Sequence, residues 1–146
     1  MNASSTICGI DYGTRRIGLA VGDLDRRIAS PLTTLTISGD LDARVRVVID
    51  AASDFDVTEW VVGLPLNMDD TEGPQAKTTR NFGQRLEEIS GRKVHFWDER
   101  LSSLTADEYL IEAELTRKKK KARRDRVAAQ VILQSFLDAQ EPQQTG

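Results

Sequence analysis

The chain has 146 residues, one domain's length, with 39% hydrophobic and 29% charged residues, a composition typical of a globular protein with a buried core. One cysteine, Cys8, and one histidine, His95, exclude an intramolecular disulfide framework and a structural zinc site, and no apolar run approaches the roughly 18 residues of a membrane span. The net charge of −3 conceals the segment Arg117 to Arg126, whose eight basic residues and one acid carry +7 and leave −10 on the rest, a pattern that points to a local contact with a polyanion.

Residues 1–5 are small and polar, without the basic start and apolar stretch of a signal peptide. The expectation is a cytoplasmic, single-domain protein over residues 1–140 with a polar tail, 141–146. Thr6 to Asp11 is a short apolar run ending in an acid, and Arg16 to Val21 is a second one across the turn Tyr12-Gly13-Thr14. Together they predict a hairpin. Ser30 to Ile37 predicts a third strand, with Pro31 near its start suiting an edge. Asp40 then caps a helix whose apolar residues Leu41, Val45, Val48, Ile49, Ala52 and Phe55 recur at helical spacing.

Glu59 to Gly63 predicts a buried fourth strand, stopped by Leu64-Pro65, and Asn67 to Gly73 a polar loop. Pro74 opens the next helix, with Ala76, Thr79, Phe82, Leu86 and Ile89 as its core face and Gly91 as its stop. Lys93 to Trp97 predicts a fifth strand leading into Asp98-Glu99-Arg100. Ser102 or Ser103 would cap a helix to about Leu115; the basic run follows, and a last helix spans about Asp125 to Ala139. Three consecutive strands and then strands alternating with helices imply an α/β fold, a five-stranded mixed sheet flanked by helices. The first three strands would form an antiparallel meander and the last two pair in parallel, a layout compatible with a ribonuclease H-like sheet.

Three carboxylates fall where a solvated face would not put them. Asp11 ends an apolar strand, Glu99 follows the apolar strand V-H-F-W beside Asp98, and Asp125 begins the stripe continued by Ala129, Ile132, Leu133 and Phe136. An ionised carboxylate against a core is costly unless paired or metal-bound. Carboxylates with water and phosphate oxygens are the ligand set of Mg²⁺, and two such ions can activate water and stabilise a leaving oxygen in phosphodiester cleavage. Plainer roles exist for each: Asp11 as a turn residue, Glu99 as a partner of Arg100, Asp125 as a cap or first-turn acid. Strand alternation puts Asp98 and Glu99 on opposite faces, and physics alone does not say which one faces Asp11. His95, Cys8, Trp60 and Trp97 lie in apolar strands and read as packing residues.

The segment G-I-D-Y-G-T-R-R-I-G-L-A-V-G-D (Gly9 to Asp23) resembles the opening motif of the YqgF family, also called RuvX, of Holliday junction resolvase-like proteins linked to maturation of the 5′ end of pre-16S rRNA. V-G-L-P-L-N-M-D (Val62 to Asp69), D-E-R-L-S-S (Asp98 to Ser103) and D-R-V-A-A-Q-V-I-L-Q (Asp125 to Gln134) resemble its later motifs, in order and over nearly the whole chain. Ser102-Ser103 departs from the two threonines more often found there, but keeps both hydroxyls. The resemblance implies a ribonuclease H-like fold. It further implies that Asp11, Glu99 and Asp125 form the catalytic, metal-binding set, so that Glu99 is chosen over Asp98, with Mg²⁺ or Mn²⁺ as cofactor and two ions when substrate is bound.

Around that set, Gly13 would let the chain turn. Gly63 and Pro65 would shape the loop after the fourth strand. Thr14, Arg15 and Arg16 would contact phosphate, and Asn67 would bond substrate or only its own turn. Arg100 would clamp phosphate or pair with Asp98. Lys118, Lys119, Lys120, Lys121, Arg123 and Arg124 would hold phosphates without reading bases, immediately before Asp125. The expected function is a divalent-metal-dependent nuclease on structured RNA, with pre-16S rRNA the partner the family implies.

A Holliday junction resolvase on DNA would need two active sites in a two-fold dimer, yet no dimer seam is visible, which leaves monomer and homodimer both open. A non-catalytic RNA-binding assembly factor would need only the basic segment. The D-Y-G-T-R-R-I-G segment also resembles the first phosphate loop of actin-like and sugar-kinase ATPases, but those place ATP between two lobes and this chain supplies one.

Overall fold

The computed structural model describes residues 6–101 and 117–140, and of residues 117–126 the backbone alone. The hairpin strands β1 (Thr6–Tyr12) and β2 (Arg16–Asp23) meet at Gly13, whose amide donates to the Arg16 carbonyl at 2.9 Å. A Cβ there would lie 2.6 Å from that same oxygen, so the turn requires glycine. The third strand, β3 (Ala29–Thr36), pairs antiparallel with β2 and carries Pro31 on a sheet edge, where a missing donor costs least.

Helix α1 (Leu41–Ala51) starts where its cap predicts: Asp40 Oδ1 accepts from the Ala43 amide at 2.9 Å. It stops before the apolar spacing does. The Ser53 and Phe55 amides donate to the Asp50 and Ala52 carbonyls, so the chain tightens into turns and leaves Phe55 on the surface.

Strand β4 (Val57–Leu64), helix α2 (Pro74–Ser90) and strand β5 (Lys93–Asp98) follow. Pro74 lies in the first turn of α2, and Gly91 ends it in the left-handed conformation at φ 69°. A short 3₁₀ turn, Glu99–Leu101, comes directly after β5, and the last described helix, α3, runs Arg117–Ala139. The expected helix beginning at Ser102 or Ser103 and the tail 141–146 lie outside the described residues.

The last helix departs from expectation at its start. Its described part already includes Arg117, well ahead of Asp125, so the basic run is helical and Asp125 stands inside the helix rather than at its cap. Apolar periodicity marks only the half that packs. Lys, Arg and Ala are strong helix formers and extend the same helix without contributing to the stripe.

The sheet order is β3-β2-β1-β4-β5, with β1 parallel to β4 and β4 parallel to β5. The meander and the parallel half are thus joined at β1. Cys8, Ile10, Tyr12, Trp60 and Val62 bury against Val45, Val48, Phe82 and Leu86 of α1 and α2. On the other face Ile7, Ala20 and Val61 bury against Ala129, Ile132, Leu133 and Phe136 of α3. Burial pushes the Cys8 thiol up to about 12 and leaves it an inert core residue.

Two glycines let α3 lie close on the sheet. A Cβ on Gly9 of β1 would stand 2.6 Å from the Leu133 Cβ and 3.1 Å from the Ala129 carbonyl; one on Gly63 of β4 would stand 2.6 Å from Ile132 Cδ1. Polar contacts fix the carboxyl-terminal half of the helix. Gln134 Nε2 donates to the Arg27 carbonyl at 2.7 Å, its Oε1 accepts from the Ala29 amide at 2.9 Å, and Trp97 Nε1 donates to Ser135 Oγ at 3.0 Å. Gly9→Ala is therefore expected to lift α3 from the sheet and cost about 1–3 kcal/mol, the usual penalty of overpacking. Urea denaturation at equal slope would read this as a lower midpoint.

Candidate active site

Alternation along β1 places Ile7, Gly9 and Asp11 on the α3 face, because Cys8, Ile10 and Tyr12 fill the opposite core. The parallel ladder pairs Ile10 with Val62, so one residue further on Asp11 comes level with Gly63. In β5, Val94 and Phe96 pack toward α1 and α2, while Trp97 packs toward α3. Alternation therefore carries Asp98 to the first side, and Glu99 opens the 3₁₀ turn that follows, which meets α3. Both Asp11 and Glu99 are half-buried at the carboxyl end of the parallel strands. β4 alone separates β1 from β5, a gap of roughly 10 Å by strand spacing.

Helix α3 runs antiparallel to β1. Leu137 reaches Gly22, the β2 partner of Ile7, whereas Leu133 and Ala129 reach Gly9. One helical turn before Ala129, the backbone at residue 125 comes over the Asp11 end of the strand. Three segments distant in sequence thus bring Asp11, Glu99 and position 125 to one end and one face of the sheet.

Glu99 carries the electrostatic signature of the site. Burial, and then the negative charge of Asp98 beside it, push its carboxyl above the ordinary glutamate range. Asp98 moves the other way, held low by the Arg100 guanidinium. Its Oδ1 accepts from the Arg100 amide and from Arg100 Nε, both at 3.0 Å, which closes the turn around Glu99. A partly desolvated carboxylate on the same face as a second one is a set of hard oxygen donors. That set fits Mg²⁺ or Mn²⁺, which would offset both the desolvation and the repulsion.

The other predicted contacts separate into three groups. Thr14 and Arg15 are exposed and Arg16 half-buried on the β1–β2 turn, at the end of the sheet where Asp11 lies. Asn67 is exposed in the β4–α2 loop, and its Nδ2 donates to Thr71 Oγ1 at 3.0 Å, the turn role. Lys118, Lys119, Lys120, Lys121, Arg123 and Arg124 lie on the helical backbone of α3 ahead of position 125, and their side chains are outside the described residues, as is that of Asp125.

Arg100 takes the pairing role. Its Nη2 donates to Asp98 at 2.8 Å and to Asp70 at 2.7 Å, and its Nη1 to the Asn67 carbonyl at 2.9 Å. The packing reading of the aromatic strands holds as well. His95 lies 2.6 Å from Glu59 and against Phe136, and Trp60 Nε1 donates to Ser90 at 3.1 Å.

Asp70 escapes sequence reasoning, because nothing at that position signals a partner thirty residues away. Only the D-x-R spacing of Asp98 and Arg100 hints at a local brace. A cleft of about 700 Å³ opens elsewhere, between the carboxyl ends of α1 and α2, lined by Phe55, Trp60 and Ile89. It lies at the opposite end of β4 from the acids. Catalytic chemistry belongs with the charged groups, so the cleft is set aside.

The chain matches the model of the family described as RuvX, Holliday junction resolvase, over residues 5–139. A protein of Myxococcus xanthus named "Putative pre-16S rRNA nuclease" is 43% identical over 137 residues, 94% of this chain and 90% of that protein. One of the same name from Anaeromyxobacter sp. strain K is 45% identical, over 92% of this chain and 97% of that one. Among solved structures, Thermus thermophilus RuvC in complex with a Holliday junction substrate superposes with a TM-score of 0.54 at 17% identity, covering 92% of this chain and 94% of that one. That likeness establishes the fold, the ribonuclease H-like sheet that the element order implies.

The raised Glu99 carboxyl has a thermodynamic consequence in metal-free protein. The folded state holds this proton more tightly than the unfolded state, so stability falls as pH rises through the folded value and is regained toward the ordinary glutamate range. In EDTA, Glu99→Gln is expected to melt higher than the native protein at pH 7, with the gap closing as the pH drops toward about 4.5, near the glutamate reference value. Parallel thermal scans across that window would check it.

Proposed function

The chain belongs to the RuvX family, and on that premise we propose that it is a divalent-metal-dependent nuclease hydrolysing phosphodiester bonds in the 5′-end maturation of pre-16S rRNA in the cytoplasm. The observation carrying the substrate class is sustained identity, above 40% across more than nine-tenths of the chain, to proteins named for that activity. The acids at one end of the sheet support the reaction type.

In this reading Asp11, Glu99 and Asp125 hold the metal, and a bound Mg²⁺ or Mn²⁺ supplies charge stabilisation and an activated water. The chain's own residues do the rest. Gly63, level with Asp11 on β4, seats Ile132 of α3 and so helps hold that helix over the acidic end of the sheet. Thr14, Arg15 and Arg16 on the first turn, with Lys118, Lys119, Lys120, Lys121, Arg123 and Arg124 on α3, hold phosphates on either side of the acids. Asp98 and Arg100 keep the turn carrying Glu99 in place. In this reading Asn67, whose amide group braces its own turn, also meets the substrate strand.

Purified protein should cleave precursor 16S rRNA with Mg²⁺ or Mn²⁺ and not in EDTA. Asp11→Asn should lower the rate by roughly two orders of magnitude or more, the scale of losing a preorganised charge-stabilising group, with an unchanged circular dichroism spectrum. Undiminished cleavage by that variant would remove the proposed centre. Preference for four-way DNA junctions, together with a two-fold dimer, would move the substrate to DNA. Salt-sensitive RNA binding without metal-dependent cleavage would leave a binding factor.

A further inference from the structure

Met68 sits at the tip of the β4–α2 loop and is 95% exposed; among the described residues the next most exposed large apolar side chains, Ile28 and Leu101, reach only 62%. The loop that carries Met68 is braced from both flanks.

Leu66 and Glu72 bridge its two sides, and the Asn67 amide donates to the Thr71 carbonyl at 2.9 Å. Asp69 Oδ1 accepts from the Thr71 hydroxyl at 2.6 Å and from its amide at 3.1 Å. Asp70 takes the left-handed conformation, φ 70°, and its carboxylate accepts from Arg100. From the other flank Arg80 Nε donates to both oxygens of Glu72, at 2.7 and 2.9 Å, while its guanidinium covers the Phe96 ring at 5.0 Å. Two arginines from outside the loop thus pin it, and one of them, Arg100, neighbours Glu99 in the chain.

We propose that Met68 is a nucleobase contact: the braced loop, fastened through Arg100 to the turn that carries Glu99, holds its thioether in solvent past the carboxyl end of β4, to pack against the face of an unstacked base of a bound strand. The proposal rests on the nucleic-acid reading above and adds a residue to it. The loop's charge favours a base over a backbone contact. Residues 66–73 hold three acids and no base, so a phosphate gains nothing at this tip. An uncharged aromatic face does gain there, and methionine is unbranched and polarisable, suited to packing on such faces and used as an apolar wedge between bases.

The test measures binding in metal-free buffer to a fluorescein-labelled RNA hairpin with a single-stranded flank, and to a set of the same RNA with one flank nucleotide at a time made abasic. Met68→Ala should weaken binding about 3- to 10-fold, the range of a sulfur–aromatic contact, and Met68→Leu should keep most of the affinity. The slope of log affinity against log salt should not change, since no phosphate contact is lost. At one abasic position the native protein should fall to the affinity of Met68→Ala and the variant should lose nothing more. Equal affinity of Met68→Ala and native protein, or losses that add at every abasic position, would overturn the proposal. Failure of the native protein to bind the hairpin at all would instead overturn the nucleic-acid reading on which it stands.

Discussion

The close seating of α3 on two glycines is the constraint from which the site follows. Gly9 and Gly63 lie on the neighbouring strands β1 and β4, two residues apart in register, on the face α3 covers, and both are filled by that helix: Leu133 and Ala129 over the first, Ile132 over the second. With no side chain between helix and strand, the helix cannot slide without clashing, and its axial position is set. That position decides where residue 125 stands relative to Asp11. A sheet with valine at either glycine could bury the same apolar stripe, but at a greater distance and with no defined register. The backbone at position 125 would then have no fixed place relative to the end of β1.

Charge is distributed around this frame so that the acids of the β4–α2 loop and the end of β5 are engaged by named donors. Asp98, Asp70, Glu72 and Asp69 are each held by a named donor: Arg100 for the first two, Arg80 and Thr71 for the others. Glu99 is raised where Asp98 and Asp69 are lowered, although it neighbours Asp98 in the chain. The difference comes from burial and from which face each side chain takes at the end of β5. Arg100 pairs with the acids on the α2 side, Asp98 and Asp70. An arginine there is well chosen, since its planar fork reaches two carboxylates and a carbonyl at once, which a lysine ammonium does with less geometric constraint.

Much of this was legible from residue pattern. Asp40, Pro74 and Gly91 announce helix ends through local chemistry, and the structure uses each of them that way. The alternation of β1 and the stripe on α3 were readable because burial imposes a period. What pattern could not supply was anything set by the third dimension. Glu99 against Asp98 was undecided because the two differ only in facing, and the facing depends on which core β5 joins. Arg100 was evenly divided between phosphate and carboxylate until the loop bearing Asp70 folded against it. The start of α3 was misplaced for a different reason: a helix that leaves the core loses its stripe, and stripes are what sequence reading follows.

That misplacement bears on how the cationic segment works. A flexible basic arm raises the local concentration of a polyanion but holds it in no particular register. A continuous helix from Arg117 does more. At 1.5 Å per residue, the stretch from Lys118 to position 125 spans about 10 Å, only a few nucleotides of backbone. Phosphates held along it would therefore stand at fixed distances from the acids, and α3's grip on Gly9 and Gly63 would fix those distances relative to the sheet. The positive end of the helix macrodipole adds to the same field, since the basic residues occupy its amino-terminal half. In the proposed nuclease, affinity and alignment would thus be carried by one element, whose core-packed half locates the acids and whose charged half locates the strand.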